Sequence, residues 1–140
     1  MARRIIKRQA GAVDTVNDAY REEDLQAAIV ANLESELAAR PGAFAFAAGL
    51  EGVRLRPSQR AKMRAQGMTA GEPDLRFYLP GGRTLLIELK AGAAVSRVQK
   101  DRHALIRGLG FVVHVVRAKT PAEAVAAVRA ILAGEGVLDG

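Results

Sequence analysis

Between Gly71 and Lys90 the chain reads Gly-Glu-Pro-Asp-Leu-Arg-Phe-Tyr-Leu-Pro-Gly-Gly-Arg-Thr-Leu-Leu-Ile-Glu-Leu-Lys, and no other stretch restricts the fold as much. Two apolar runs, Leu75 to Leu79 and Thr84 to Leu89, flank Pro80-Gly81-Gly82, which is the pattern of a β-hairpin. A three-residue loop pairs Leu79 with Arg83, and counting back sets Asp74 opposite Glu88. Opposed residues of an antiparallel pair share a face, with Cβ atoms roughly 5 Å apart. Lys90 lies two residues beyond Glu88 and projects from that same face. Two carboxylates and an ammonium therefore converge at one end of an otherwise apolar hairpin.

That convergence is costly. Leu85, Leu86 and Ile87 form a continuous apolar run, which predicts burial on both faces of the second strand. Buried carboxylates must be paired, protonated or metal-bound. A divalent cation between Asp74 and Glu88 relieves the repulsion, and hard oxygen ligands suit Mg²⁺ or Mn²⁺. Lys90 then faces an anion or an attacking water. Taken singly, each residue has a plainer account: Asp74 as a turn residue after Pro73, Glu88 and Lys90 as a solvated edge ladder. Their matching parity across one hairpin favours the joint reading.

The chain has 140 residues, 49% of them hydrophobic, enough for one domain with a real core. It has no cysteine, which excludes disulfides, zinc–thiolate sites and thiol catalysis. Aromatics are 4% with no Trp, which argues against a base-stacking platform. The net charge of +6 fits a polyanionic partner. Residues 1–17 are expected to be a basic tail carrying Arg3, Arg4, Lys7 and Arg8, without the apolar segment of a signal peptide. The domain is expected over residues 18–133, with a second tail over 134–140, and no stretch is long enough to span a membrane.

From Asp18 to Arg40 the pattern is helical, with Leu25, Ile29, Leu33 and Leu37 in one stripe. Glu22, Glu23 and Asp24 sit in its first turns, where acids favour the helix dipole; one of them is also a candidate for the metal site. A short strand is expected over Phe44 to Ala48. Arg54, Arg56, Arg60, Lys62 and Arg64 then follow with no acid among them, most of them on a short helix opened by Pro57. Such a run is often just a solvated face; next to this hairpin it reads as the main phosphate-backbone contact to DNA.

Ser96 is a good N-cap for a helix through Leu109, with Val98, Leu105, Ile106 and Leu109 expected on its buried side. Gln99, three residues in, is either a polar partner of the metal site or surface polarity. Phe111 to Val116 is expected to be the central strand, and Thr120-Pro121-Ala122-Glu123 launches a final helix. His114 is read as a hydrogen-bonded sheet residue and His103 as a surface one. The segment from Thr84 to Phe111 is a β-α-β crossover, so the expected class is α/β, a mixed sheet flanked by helices.

Pro73-Asp74 followed by Glu88-Leu89-Lys90 resembles the PD-(D/E)xK nuclease motif. With Gly67 and Gly71 before it, Ser96-Arg97-Val98-Gln99 after it, and Glu22 ahead of Leu25-Gln26, the chain from about Arg21 to Val116 is similar to the virus-type replication-repair nuclease (VRR-NUC) domain in its small standalone form. The resemblance implies a restriction-endonuclease-like fold and Mg²⁺- or Mn²⁺-dependent phosphodiester hydrolysis. It also implies Asp74 and Glu88 as metal ligands with the Leu89 carbonyl as a further one, Lys90 as the motif lysine, Gln99 as the helix glutamine, and Glu22 or its neighbour Glu23 as the N-terminal helix acid. The partners it implies are branched DNA, such as four-way junctions or flaps, and a second copy of the chain, in the cytoplasm of a bacterial or phage-infected cell. Ala48-Gly49-Leu50-Glu51-Gly52 stands where the family has an asparagine-containing segment. The alternative is a non-catalytic DNA-binding or scaffold module; for a sequence-specific restriction enzyme the chain has no evident extra recognition element.

Overall fold

The computed structural model of the protein describes residues 3–9, 12–49 and 55–139, with the first two strands described by their backbone. In chain order the elements are β1 (Arg3–Gln9), β2 (Ala12–Asp18), α1 (Glu22–Ala39), β3 (Ala45–Ala48), α2 (Pro57–Ala65), β4 (Leu75–Leu79), β5 (Arg83–Lys90), α3 (Arg97–Gly108), β6 (Val112–Arg117) and α4 (Pro121–Gly134). Among the described residues, β3, β4, β5 and β6 form one sheet in that order; β5 and β6 run parallel and the other pairs antiparallel. This is the expected mixed α/β architecture in a single domain.

The hairpin has the predicted register, with Leu79 opposite Arg83 and Leu75 opposite Ile87. Pro80 to Gly82 form a short 3-10 turn, and Gly81 takes φ +80°, a conformation that glycine reaches without a Cβ penalty. Every residue of β5 from Leu85 to Lys90 is buried, as a strand covered on both faces requires. Leu85, Ile87 and Leu89 point into the main core with Leu25, Ile29 and Leu33 of α1 and Ala124, Val128 and Leu132 of α4. Leu86 points the other way, onto Ile106 of α3 and Val113 of β6. Each fully buried Leu, Ile or Phe contributes roughly 1.5–3 kcal/mol of transfer free energy. Phe77 stacks between Phe44 and Phe46 at centroid separations of 6.3 and 6.2 Å, tying β3 to the hairpin.

Four expectations change. The β6 strand is an edge, not the centre; β5 holds the centre, and Val112 is 46% exposed. A β-branched run favours extended backbone wherever it lies, so it does not count neighbours. The α3 helix is rotated relative to the expected buried side: Val98, Leu105 and Leu109 are 55%, 55% and 70% exposed, and only Ile106 of the expected four is buried. Arg3–Gln9 and Ala12–Asp18 pair as a two-stranded antiparallel ribbon, with Ile5 opposite Val16, where a tail was expected over residues 1–17; β-branched Ile5, Ile6, Val13, Thr15 and Val16 favour extended backbone. Within 134–140, Val137 and Leu138 are buried in the main core, and the Val137 carbonyl accepts a bond from Arg40 Nη2 at 3.1 Å. A seven-residue end containing two large apolar residues can still close a core.

Among the described glycines, Gly71 has the closest surroundings. It has φ +80°, and a Cβ there would lie 2.7 Å from the Val98 carbonyl oxygen at the start of α3. Gly81 has the same φ but open space around it. Gly71→Ala is expected to destabilise by about 2–4 kcal/mol, the left-handed penalty plus a backbone clash, against about 1–2 kcal/mol for Gly81→Ala. Urea unfolding of the two variants checks the ranking.

Candidate active site

The entry to β4 and the C-terminal end of β5 set the site. Continuing the register one step past Leu75 and Ile87 brings Asp74 opposite Glu88, as counted from the sequence. Asp74 Oδ2 accepts the Leu89 backbone N–H at 2.6 Å, which ties the residue before β4 to the exit of β5. In an antiparallel pair a residue's N–H and C=O face the same neighbour, so the Leu89 carbonyl lies on the strand edge that faces Asp74. Glu88 is 1% exposed and Lys90 5%, so both ionisable groups sit inside the protein.

Glu88 is held by both oxygens. Gln99 Nε2 donates to Oε2 at 3.3 Å, and His103 Nε2 lies 3.1 Å from Oε1. Gln99 does two tasks at once: its Oε1 accepts the Ser96 N–H while its own N–H bonds Ser96 Oγ, closing the capping box that starts α3. Lys90 Nζ lies 3.7 Å from Glu22 Oε1, so the first residue of α1 reaches the site, while Glu23 pairs outward with Arg21. Asp24 caps the helix by accepting the Arg21 N–H at 2.8 Å. The three adjacent acids thus divide between site, surface and cap.

Burial pushes the Glu88 carboxyl up to about 9; the hydrogen bond and charge of Asp74 act in the same direction, and Lys90 opposes them. Burial also raises Glu22, partly offset by Lys90. Burial lowers His103, helped by the Arg107 guanidinium, so the imidazole is neutral at pH 7. The His103–Glu88 bond then has the imidazole accepting when Glu88 is protonated and donating when it is ionised. Two facing carboxylates, one holding a proton far above its usual range, are what a small divalent cation satisfies by displacing that proton. The donors available are hard oxygens: Asp74, Glu88 and the Leu89 carbonyl. Among the described residues, no three His, Cys, Asp or Glu side chains are grouped to hold a metal.

Arg56, Arg60, Lys62 and Arg64 are exposed at the start and along α2, which buries nothing of its own. Arg54 lies outside the described residues. His103 is a correction: expected at the surface, it is 1% exposed beneath Glu88. The signal was its position four residues after Gln99, on the same helical face. His114 lies in β6 opposite Ile87, a sheet residue as expected, but its Nε2 is buried without a hydrogen-bond partner.

A raised carboxyl binds its proton in the folded state while the unfolded chain has lost it. Between about pH 4.5 and 9 the folded state binds more protons, so stability falls as pH rises. In EDTA the melting temperature is expected to drop from pH 5 to pH 9. Glu88→Gln, which carries the neutral shape permanently, is expected to flatten that slope. A wild-type profile as flat as that of the variant would refute the assignment.

No family model matches the sequence, and no curated protein matches it. Among solved structures, the chain is similar to one described as a VRR_NUC domain protein, with 17% sequence identity and a TM-score of 0.53 over 81% of this chain and 88% of that one. At that identity the likeness concerns architecture. The mixed sheet of β3 to β6 with its flanking helices has the restriction-endonuclease-like fold of that VRR_NUC domain protein.

Proposed function

We propose that this chain is a Mg²⁺- or Mn²⁺-dependent DNA endonuclease that hydrolyses phosphodiester bonds in branched DNA, such as four-way junctions or flaps, and works as a homodimer. The observation that carries this reading is the pair buried on β5, Glu88 and Lys90 on one face, with half-buried Asp74 facing Glu88 from the entry to β4. Neither a scaffold nor a solvated edge needs that conflict.

The cation would be held by Asp74, Glu88 and the Leu89 carbonyl, and when bound it supplies Lewis acidity at the scissile phosphate and a water of lowered pKa. Lys90 presents its ammonium beside those oxygens, where it orients the attacking water or stabilises developing negative charge. Glu22 fixes that ammonium from the start of α1. Gln99 and His103 hold the Glu88 carboxylate in one orientation, so it does not reorganise during reaction. Arg56, Arg60, Lys62 and Arg64, exposed together on and before α2, would contact phosphates and position DNA without reading its sequence; Arg54 would extend that run. No helix of the described residues is long and apolar enough to cross a membrane, and a DNA substrate fits a cytoplasmic site of action.

The homodimer is supported by the exposed stripe of Val98 and Leu105 on α3 and Leu109 at its C-cap, continued by Phe111 and Val112 at the β6 edge. Leu105→Glu with Leu109→Glu is expected to convert a dimer to a monomer in light scattering; unchanged mass would remove this stripe as the interface.

A non-catalytic DNA-binding module is the second reading, favoured by the absence of a three-side-chain metal group among the described residues. Labelled junction, flap, single-stranded and duplex DNA, incubated with Mn²⁺, Mg²⁺ or EDTA, separate the two. Cleavage that needs metal is expected. Asp74→Ala or Glu88→Ala is expected to lower it by about 10³-fold or more, and Lys90→Ala by about 10²–10³-fold. Mn²⁺ at a hundredfold over its dissociation constant is expected to stabilise the wild type by about 2.7 kcal/mol, and Asp74→Ala by none. DNA binding with neither cleavage nor metal stabilisation would establish the scaffold.

A further inference from the structure

Beside the carboxylates a cleft of about 440 Å³ opens between α2, the start of β4 and α3. Met63 and Met68 form apolar parts of its lining, Gly49 lies at the end of β3, and Glu72, Arg76 and Arg102 bring charge to it. Glu72 holds two guanidiniums at once: Arg102 Nε donates to Oε1 at 2.9 Å, and Arg76 Nη2 donates to Oε2 at 2.8 Å. Its own side chain is 18% exposed, so the carboxylate is mostly withdrawn while the arginine side chains, at 43% and 30%, reach solvent. Two cations and one anion leave the group with a net charge of +1.

We infer that this cleft is a phosphodiester-binding site, in which Arg102 and Arg76 clasp a phosphate of the DNA strand next to the one being cut. The placement gives the reason. Glu72 is two residues before Asp74, Arg102 immediately precedes the His103 that bonds Glu88, and the Gly49 N–H donates to the Asp74 carbonyl at 3.1 Å. The cleft and the carboxylates therefore share their walls. On the other side stands α2, whose Met63 lines the cleft and whose Arg60, Lys62 and Arg64 are exposed, so positive charge continues from the cleft along that helix. A guanidinium has five N–H donors in a fixed fork, and Arg102 engages Glu72 through Nε, leaving its outer edge to meet a phosphate. The methionine walls suit the adjoining sugar. Glu72 keeps both forks in place before DNA arrives and offsets one of their two charges, a preorganising contact that also limits affinity.

This inference rests on the nuclease reading, and the test separates the two. Binding of the full-length protein in EDTA to fluorescein-labelled duplex and four-way-junction DNA is measured by anisotropy between low and moderate salt. Arg102→Ala is expected to weaken binding about three- to tenfold and to reduce the slope of log K against log salt by about 0.9, one phosphate contact. Glu72→Gln keeps the shape, removes the anion, and is expected to tighten binding and steepen that slope. Arg83→Ala, at the turn end of the hairpin and paired with Glu135, is expected to match the wild type. Should Arg102→Ala fail to fold, Arg102→Gln replaces it, and the Glu72→Gln result stands independently. An unchanged slope in the Arg102 variant, or weaker binding in Glu72→Gln, overturns the clasp while leaving the nuclease intact. A wild type that binds no DNA at any salt overturns both.

Discussion

The bond from the Leu89 backbone N–H to Asp74 is the contact on which the rest of the site depends. It closes the open end of the β4–β5 hairpin after the last paired residues, Leu75 and Ile87, and brings a carboxylate across to face Glu88. The pleat makes this sensitive to register. A slip of one residue would turn Glu88 and Lys90 into the main core and Leu89 out of it. The three-residue turn at Pro80 to Gly82 prevents the slip from one end, and the Asp74 bond prevents it from the other.

Placing charge on one face of a buried strand dictates what covers that face. Helix α3 could have packed its line of Val98, Leu105 and Leu109 on the sheet, and the hydrophobic effect alone would favour that. Instead the helix turns Gln99, His103 and Ile106 inward, and Gln99 and His103 supply the partners that Glu88, 1% exposed, would otherwise lack. Gly71 allows this, since only a residue without a side chain lets the preceding loop pass so close to the start of the helix. On the opposite face, Leu85, Ile87 and Leu89 meet α1 and α4 with no such demand, and packing there follows apolar periodicity alone.

Shared architecture at 17% identity leaves function to be argued from the site, since one fold can hold many chemistries. A carboxyl raised to about 9 beside a second carboxylate is a poor structural element and a good cation ligand. The exposed basic residues of helix α2 and the arginines on Glu72 place positive charge near that point, the distribution that a polyanionic substrate of the proposed kind requires.

Local chemistry in the sequence determined much of this. The hairpin register, the shared face of Asp74, Glu88 and Lys90, the Ser96 cap and the apolar face of α1 each follow from turn residues and from periods of 2 and 3.6, which act over a few residues. Tertiary structure alone decided which apolar face of α3 would be buried, that β6 would be an edge, that Val137 and Leu138 would close the core, and that His103 would lie beneath Glu88. Those outcomes depend on which neighbours meet in space, and the cost of an unpaired buried carboxyl is set by partners that lie eleven and fifteen residues away along the chain. Periodicity can find the two candidate faces of a helix. Only the charge waiting on the sheet can choose between them.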